Sequence, residues 1–339
     1  MLDRPIAVQL TLRMNFLLIA TLCIILPLVS LAQTSDPYAG LKLEANIAFT
    51  EGPAWHALTK SVYFTDFTNN RIMRRDTNGQ LHVFRTPSTH ANGLAFDDLD
   101  RLIACEGGVG DSHRGISRTE LDGTITILTN NYNGSCYNSP NDLVIDSKGS
   151  IYFTDPRYGP RDDLEILDAV GKAIEGVYRI DTDGSVTQIL THEIHRPNGI
   201  ALSSDERFLF VADNAGGMPN GNRKLWRFDL NDDGIVNPAS QKELFDWRTK
   251  LGIDRGPDGM CVGLDGNLYV TAGWNFNDQP TDVPRKFRAG VYVIDPNGKG
   301  LQRMIPIPND DVTNCTFGGD DGKTLFVTAG QRLFSIVID

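Results

Sequence analysis

The sequence has no stretch of concentrated positive charge. Its 32 lysines and arginines are outnumbered by 43 aspartates and glutamates, for a formal charge of −11. An acidic chain without a basic run is a poor match for a phosphate backbone or an anionic membrane surface. The same acidity suits a protein that holds a divalent cation. Cysteine is scarce, with 5 in 339 residues, and no C-x-x-C occurs. The spacing of Cys105, Cys136, Cys261 and Cys315 gives no disulfide framework, and a Cys105–Cys136 bridge is not expected. Three of these four stand in or beside apolar runs, where cysteine behaves as a small buried hydrophobe. The 6 histidines are scattered. His192-Glu193-Ile194-His195 sets its two histidines three apart, whereas the zinc-protease motif needs four. G-x-S-x-G is missing, which removes the serine-hydrolase elbow. Gly107-Gly108-Val109-Gly110 lacks the following helix that a phosphate cradle requires.

An extended apolar run is found at the N-terminus. Arg4 and Arg13 flank it, it runs from Phe16 to Leu31, and Ser30 and Ala32 give it a small-x-small exit. These are the parts of a secretory leader over residues 1–32. The run is short and Pro27 interrupts it, which argues against a membrane anchor. No cysteine follows the exit, so a lipid anchor is not expected. An exported protein, periplasmic or secreted, is expected, with residues 33–339 as one domain.

Within that domain one pattern recurs six times. Six segments carry an oxygen-bearing side chain at the same point: Glu51-Gly52-Pro53, Asn92-Gly93-Leu94, Pro140-Asn141-Asp142, Pro197-Asn198-Gly199, Pro257-Asp258-Gly259 and Asn314-Cys315-Thr316. About 15 residues after each comes a β-rich run, such as the one ending at Asp66, Asp155 or Asp213, and then a third strand. Tight Asx-Gly turns, among them Asp122-Gly123 and Asp181-Thr182-Asp183-Gly184, separate the strands and mark hairpins. The unit is about 51 residues long, near the period of a propeller blade. The pattern predicts an all-β, six-bladed propeller of four-stranded antiparallel blades. The last unit ends after three strands, and an orphan strand at Leu41-Lys42-Leu43-Glu44-Ala45 precedes the first. Pairing the two closes the ring and removes both sheet edges.

In that arrangement the six tips precede the first strands. They share a face with the long loops 107–115, 156–176, 214–223 and 274–289. Any one Asn-Gly read alone is a turn. Six at one position of a ring crowd around an axis, where oxygen side chains build a cation site. Carboxylates and amide oxygens are hard donors, suited to Ca²⁺ or Mg²⁺. Glu51 and Asp258 would neutralise a divalent ion and the asparagines would complete the cage, with Ca²⁺ favoured because a loop ring has room for several oxygens.

The string from Phe49 to Trp55, with Ser139 to Leu143, Tyr152 to Gly159, Arg196 to Ser203, Gly256 to Met260 and Thr313 to Gly319, resembles the gluconolactonase/regucalcin (senescence marker protein) superfamily. The resemblance runs in order along essentially the whole mature chain. It implies a propeller hydrolase with one divalent cation, usually Ca²⁺, and carries the ligand role to Glu51, Asn141, Asn198 and Asp258. Asn92 and Asn314 complete the ring but match no usual ligand of the family. Two departures concern substrate recognition. Glu106-Gly107-Gly108 stands where many relatives have Glu-His-Gly, and Ser139 stands where the regucalcin branch has an arginine. The expected reaction is hydrolysis of a sugar-type lactone, the cation acting as Lewis acid and Asp258 positioning or deprotonating water. Asn92, Glu106 and Tyr158 are candidate substrate contacts. Two other readings of the same scaffold are a phosphotriesterase-like hydrolase and a ligand-binding propeller without catalysis. The few aromatics available on the loop face, Trp274, Phe276 and Tyr158, favour an enzyme over a sugar binder.

Overall fold

Short β-prone runs separated by residues that accept positive φ fold back on themselves, and the computed structural model shows the product as six four-stranded antiparallel sheets. It describes residues 36–108, 113–215, 221–251, 256–273, 289–308 and 311–339. Residues 1–35, which hold the expected leader, and 274–288, with Trp274 and Phe276, lie outside the described residues. Blade 1 consists of Thr50–His56, Ser61–Asp66, Arg71–Arg75 and Leu81–Arg85. Blade 2 consists of Ala91–Phe96, Leu102–Glu106, Gly115–Thr119 and Ile125–Thr129. Blade 3 has Leu143–Ile145, Ile151–Asp155, Gly176–Ile180 and Val186–Leu190. Blade 4 has Pro197–Leu202, Phe208–Asn214, Arg223–Leu230 and Val236–Asp246. Blade 5 has Pro257–Val262, Leu268–Ala272, Gly290–Asp295 and Gly300–Pro306.

Blade 6 has only three strands of its own: Val312–Gly318, Thr324–Ala329 and Arg332–Val337. Its fourth is Lys42–Asn46, paired antiparallel to Arg332–Val337 with Lys42 opposite Ser335. The ring closes as the orphan strand implied. A further hairpin, Asn131–Tyr132 with Ser135–Cys136, stands outside the blades. Its turn places Asn133 and Gly134 at φ 52° and 87°, the double positive φ that an Asn-Gly pair tolerates.

The core is divided among the seams between neighbouring blades. At one seam Phe210 and Leu225 of blade 4 pack with Leu268, Val270 and Tyr292 of blade 5. Trp247, fully buried in the short helix Trp247–Leu251, belongs to the same cluster. At another, Val62 and Phe64 of blade 1 meet Phe326 and Leu333 of blade 6, with Ala45 of the closing strand. Each blade is therefore held by its two neighbours, and the innermost strands are fixed in position around the axis.

Candidate metal centre and active site

The tips differ from expectation in one respect. Five of them lie inside the first strand, not before it, at a shift in register. Pairing with the second strand slips between Glu51 and Ala54, Ala91 and Leu94, Pro197 and Ile200, Pro257 and Met260, and Val312 and Asn314. Extra residues on one strand break the alternation and re-aim side chains, a common device beside active sites. In blade 3 the tip sits just ahead of the short strand, where the Asn141 amide donates to the Thr154 carbonyl and the Thr154 amide donates to the Asp142 carbonyl.

The tips touch in an unbroken circle. A Cβ on Gly52 would overlap the Asn92 carbonyl, so blade 1 packs its backbone against blade 2. The Gly93 amide donates to the Asn141 carbonyl at 2.7 Å, joining blade 2 to blade 3. Thr154 Oγ1 donates to the Asn198 carbonyl at 2.7 Å, joining blade 3 to blade 4. A Cβ on Gly199 would overlap the Asp258 carbonyl, and one on Gly259 would overlap the Asn314 side chain. Thr271 Oγ1 donates to the Thr313 carbonyl, and Thr313 Oγ1 donates to the Thr50 carbonyl, each at 2.9 Å, completing the turn. In four of the six tips the glycine after the oxygen-bearing residue, Gly52, Gly93, Gly199 or Gly259, is what allows this approach. Residues that span more than 250 positions of sequence are thus neighbours at one place, and Glu51, Asn198, Asp258 and Asn314 are all buried there.

Residues near the ring have separate tasks. Asp66, Asp155 and Asp213 close the second strands and grip the backbone leading into the tips. Asp155 accepts from the amides of Asn138 and Ser139, Asp213 from those of His195 and Arg196, and Asp66 from that of Phe49. This repeated role is visible in the sequence only as a recurring strand-end aspartate. Glu106 occupies the same place in blade 2 but is fully buried in another network. Arg85 Nη2 lies 2.5 Å from its Oε1, which also accepts from the Ser117 hydroxyl, and His113 Nε2 lies 2.6 Å from Oε2. Glu106 is thereby tied to the outer strands of blades 1 and 2 next to the loop beginning at Gly107. Tyr158 is brought to the ring: Asn198 Nδ2 donates to its hydroxyl at 2.8 Å.

Below the ring the first strands of all six blades line a central cavity of about 360 Å³, through residues 53–55, 94–96, 142–145, 200–202, 260–262 and 314–316. Asp142 faces it from just beneath the tips and accepts from Asn314 Nδ2 across the axis at 3.3 Å. Burial pushes the Asp142 carboxyl up to about 7, and the charge of Asp258 adds to the rise. Cys261 and Cys315, on adjoining first strands, bring their Sγ atoms to 3.4 Å, a pairing the sequence spacing did not suggest. Among the described residues no three His, Cys, Asp or Glu side chains gather to hold an ion. An ion at the ring would depend on asparagine oxygens as much as on Glu51 and Asp258. The donor chemistry fits a hard cation, and a cation there would offset the cost of burying two carboxylates.

Comparison with known proteins agrees with this architecture. Residues 49–331 match the family model described as the SMP-30/Gluconolactonase/LRE-like region. The chain is 28% identical over 312 residues to a gluconolactonase of Zymomonas mobilis, covering 87% of this chain and 80% of that one. It is 27% identical to the pentonolactonase of Haloferax volcanii, covering 82% and 80% of the two chains. The solved structure of a gluconolactonase from Xanthomonas campestris superposes with a TM-score of 0.72 at 29% identity, covering 88% of this chain and 89% of that one.

Proposed function

The chain belongs to the SMP-30/gluconolactonase/LRE-like family, and we propose that it opens sugar-type lactones at the tip ring, with a divalent cation held by Glu51, Asn141, Asn198 and Asp258. It is a lactone hydrolase, and its substrate is a small molecule. Metal dependence is general in the family. The hard oxygens of the ring favour Ca²⁺, with Mg²⁺ the next candidate. The observation that supports the reading is the closed circle of backbone contacts between the tips, at which Glu51, Asn198, Asp258 and Asn314 are buried.

When bound, such a cation polarises the ester carbonyl and stabilises developing oxyanion charge. The chain's own residues do the rest. Asp258 positions the attacking water or takes its proton. Glu51 supplies the second negative charge of the cage, and the asparagines add oxygens without adding charge. Tyr158, partly exposed and bonded to Asn198, is a candidate substrate contact. Residues 1–32 act as a secretory leader, so the enzyme works in the periplasm or outside the cell. The mass of the exported protein checks this, since a chain retaining its first 32 residues contradicts it.

A panel of aldono- and pentonolactones, followed by proton release with and without chelator, tests the activity. Turnover that chelation abolishes is expected. Asp258→Asn should keep the fold and lower turnover by roughly 10²–10⁴, whereas Glu51→Gln should chiefly weaken ion binding. Faster hydrolysis of fluorophosphates than of lactones would replace the reading with a phosphotriesterase. Binding of lactones without turnover would replace it with a binding protein.

A further inference from the structure

The hydroxyl of Tyr158 is committed to a side chain of the ring. Resting on the reading that the ring holds a cation, we propose that Tyr158 is a positioning residue: it fixes the Asn198 amide so that its oxygen, not its nitrogen, faces the ion. A carboxamide has two ends of nearly equal size, and only the oxygen can serve a cation. Something must therefore distinguish the two orientations. Asn198 is buried, and its Nδ2 donates to the Tyr158 hydroxyl at 2.8 Å. That hydroxyl is aimed in turn at the Asn214 carbonyl, 3.5 Å away, which directs its hydrogen away from Asn198. A lone pair is then left for the amide nitrogen. With the nitrogen so used, the amide oxygen is the end left for the ring.

The tyrosine is itself held. The Arg196 guanidinium covers its ring, 5.2 Å from the centroid. Arg196 is buried and bonds through Nε to Glu175 at 3.0 Å. Glu175 also holds Arg161 at 2.7 Å and accepts from the Arg157 amide at 2.6 Å. Arg157 precedes Tyr158 in the chain, so the carboxylate steadies the tyrosine from its backbone and from its face. Arg196 lies two residues before Asn198, so the ligand and the clamp on its partner come from one stretch of blade 4. Packing of this kind is what keeps a ligand's supporting hydrogen bond in place.

The test reads ion affinity apart from catalysis. Mature protein freed of metal by chelation is titrated with Ca²⁺ in a calorimeter, as the unaltered chain, Tyr158→Phe, Asn198→Asp and the double variant. Tyr158→Phe should weaken Ca²⁺ binding about 3- to 10-fold, the span of one lost hydrogen bond. A carboxylate at position 198 presents oxygen at both ends and has no wrong orientation. In the Asn198→Asp background, adding Tyr158→Phe should therefore change the dissociation constant by less than about two-fold. Unchanged affinity in the single variant overturns the proposal. An equal loss in both backgrounds also overturns it, because the tyrosine would then act through packing. Absence of Ca²⁺ binding by the unaltered protein sinks the ring reading itself, an outcome distinct from the other two.

Discussion

Asp155 does its work through the backbone, holding the amides of Asn138 and Ser139 at 2.9 and 2.8 Å so that the tip at Asn141 starts from a fixed point. Burial pushes its carboxyl up to about 7, with the charge of Glu175 adding to the rise and those backbone bonds opposing it. The sign of the consequence follows from proton counts. Between about pH 4 and pH 7 the folded chain retains a proton that the unfolded chain has lost, so stability falls as pH rises through that window. Asp142 contributes in the same direction. Asp155→Asn removes one of the two titrations. Its thermal midpoint should therefore drop less than that of the unaltered protein between pH 5 and pH 8, by about 3 °C or more. Parallel curves for the two proteins would mean that Asp155 is charged throughout. Glu106 stands at the corresponding point of blade 2, yet one more methylene takes its carboxylate to Arg85, Ser117 and His113. Residue type and position suggested a substrate contact there; the network of Arg85 and Ser117 around the carboxylate was not legible in the sequence.

At the level of strands, the blades were legible because each local rule agreed with the others. Runs such as Ile151–Asp155 have β-branched and aromatic residues, and turns such as Asp181 to Gly184 have the residues that close a hairpin. The missing fourth strand of blade 6 could be counted. The register shift at the tips could not, because Asn-Gly serves a turn, a bulge and a close approach equally well. Nor could the bond from Asn198 to Tyr158, which joins two blades through a loop of irregular length. Gly259 shows how tightly the tips are set. A methyl group there would overlap the Asn314 side chain, whose nitrogen bonds to Asp142. Gly259→Ala must displace the Asn314 side chain, and with it the bond to Asp142, beside Asp258. Overpacking of this kind costs about 1–3 kcal/mol, and Ca²⁺ affinity should fall along with the thermal midpoint. Alanine at Gly266, in an open turn with nothing within 4 Å, is the control for a glycine remote from the ring. Loss of Ca²⁺ affinity to the same degree in both variants would contradict the close approach as the cause.

For the molecule as a whole, closure of the ring and integrity of the site are one property. The strand Lys42–Asn46 covers the outer edge of blade 6, and its Glu44 bonds Ser335 of that blade and pairs with Arg75 of blade 1. Ala45 lies in the cluster that joins the two blades. Just beyond it, Thr50 Oγ1 donates to the carbonyls of Gly330 at 3.0 Å and Arg332 at 2.8 Å, while the Thr50 carbonyl accepts from Thr313. The residue before Glu51 is thus fastened to blade 6 from both sides. Removing the chain through Asn46 exposes the edge at Arg332–Val337 and loosens that fastening. Each lost ladder hydrogen bond contributes about 1 kcal/mol, so several together should lower the thermal midpoint by about 5 °C or more. The exposed edge should also promote association between molecules. Because Glu51 is the first residue of the ring past the seam, Ca²⁺ affinity and lactone turnover should decline at temperatures where the shortened chain is still folded. Scanning calorimetry alongside Ca²⁺ titration separates the two effects. An intact site in a destabilised ring would show that the tips hold one another without help from the closing strand.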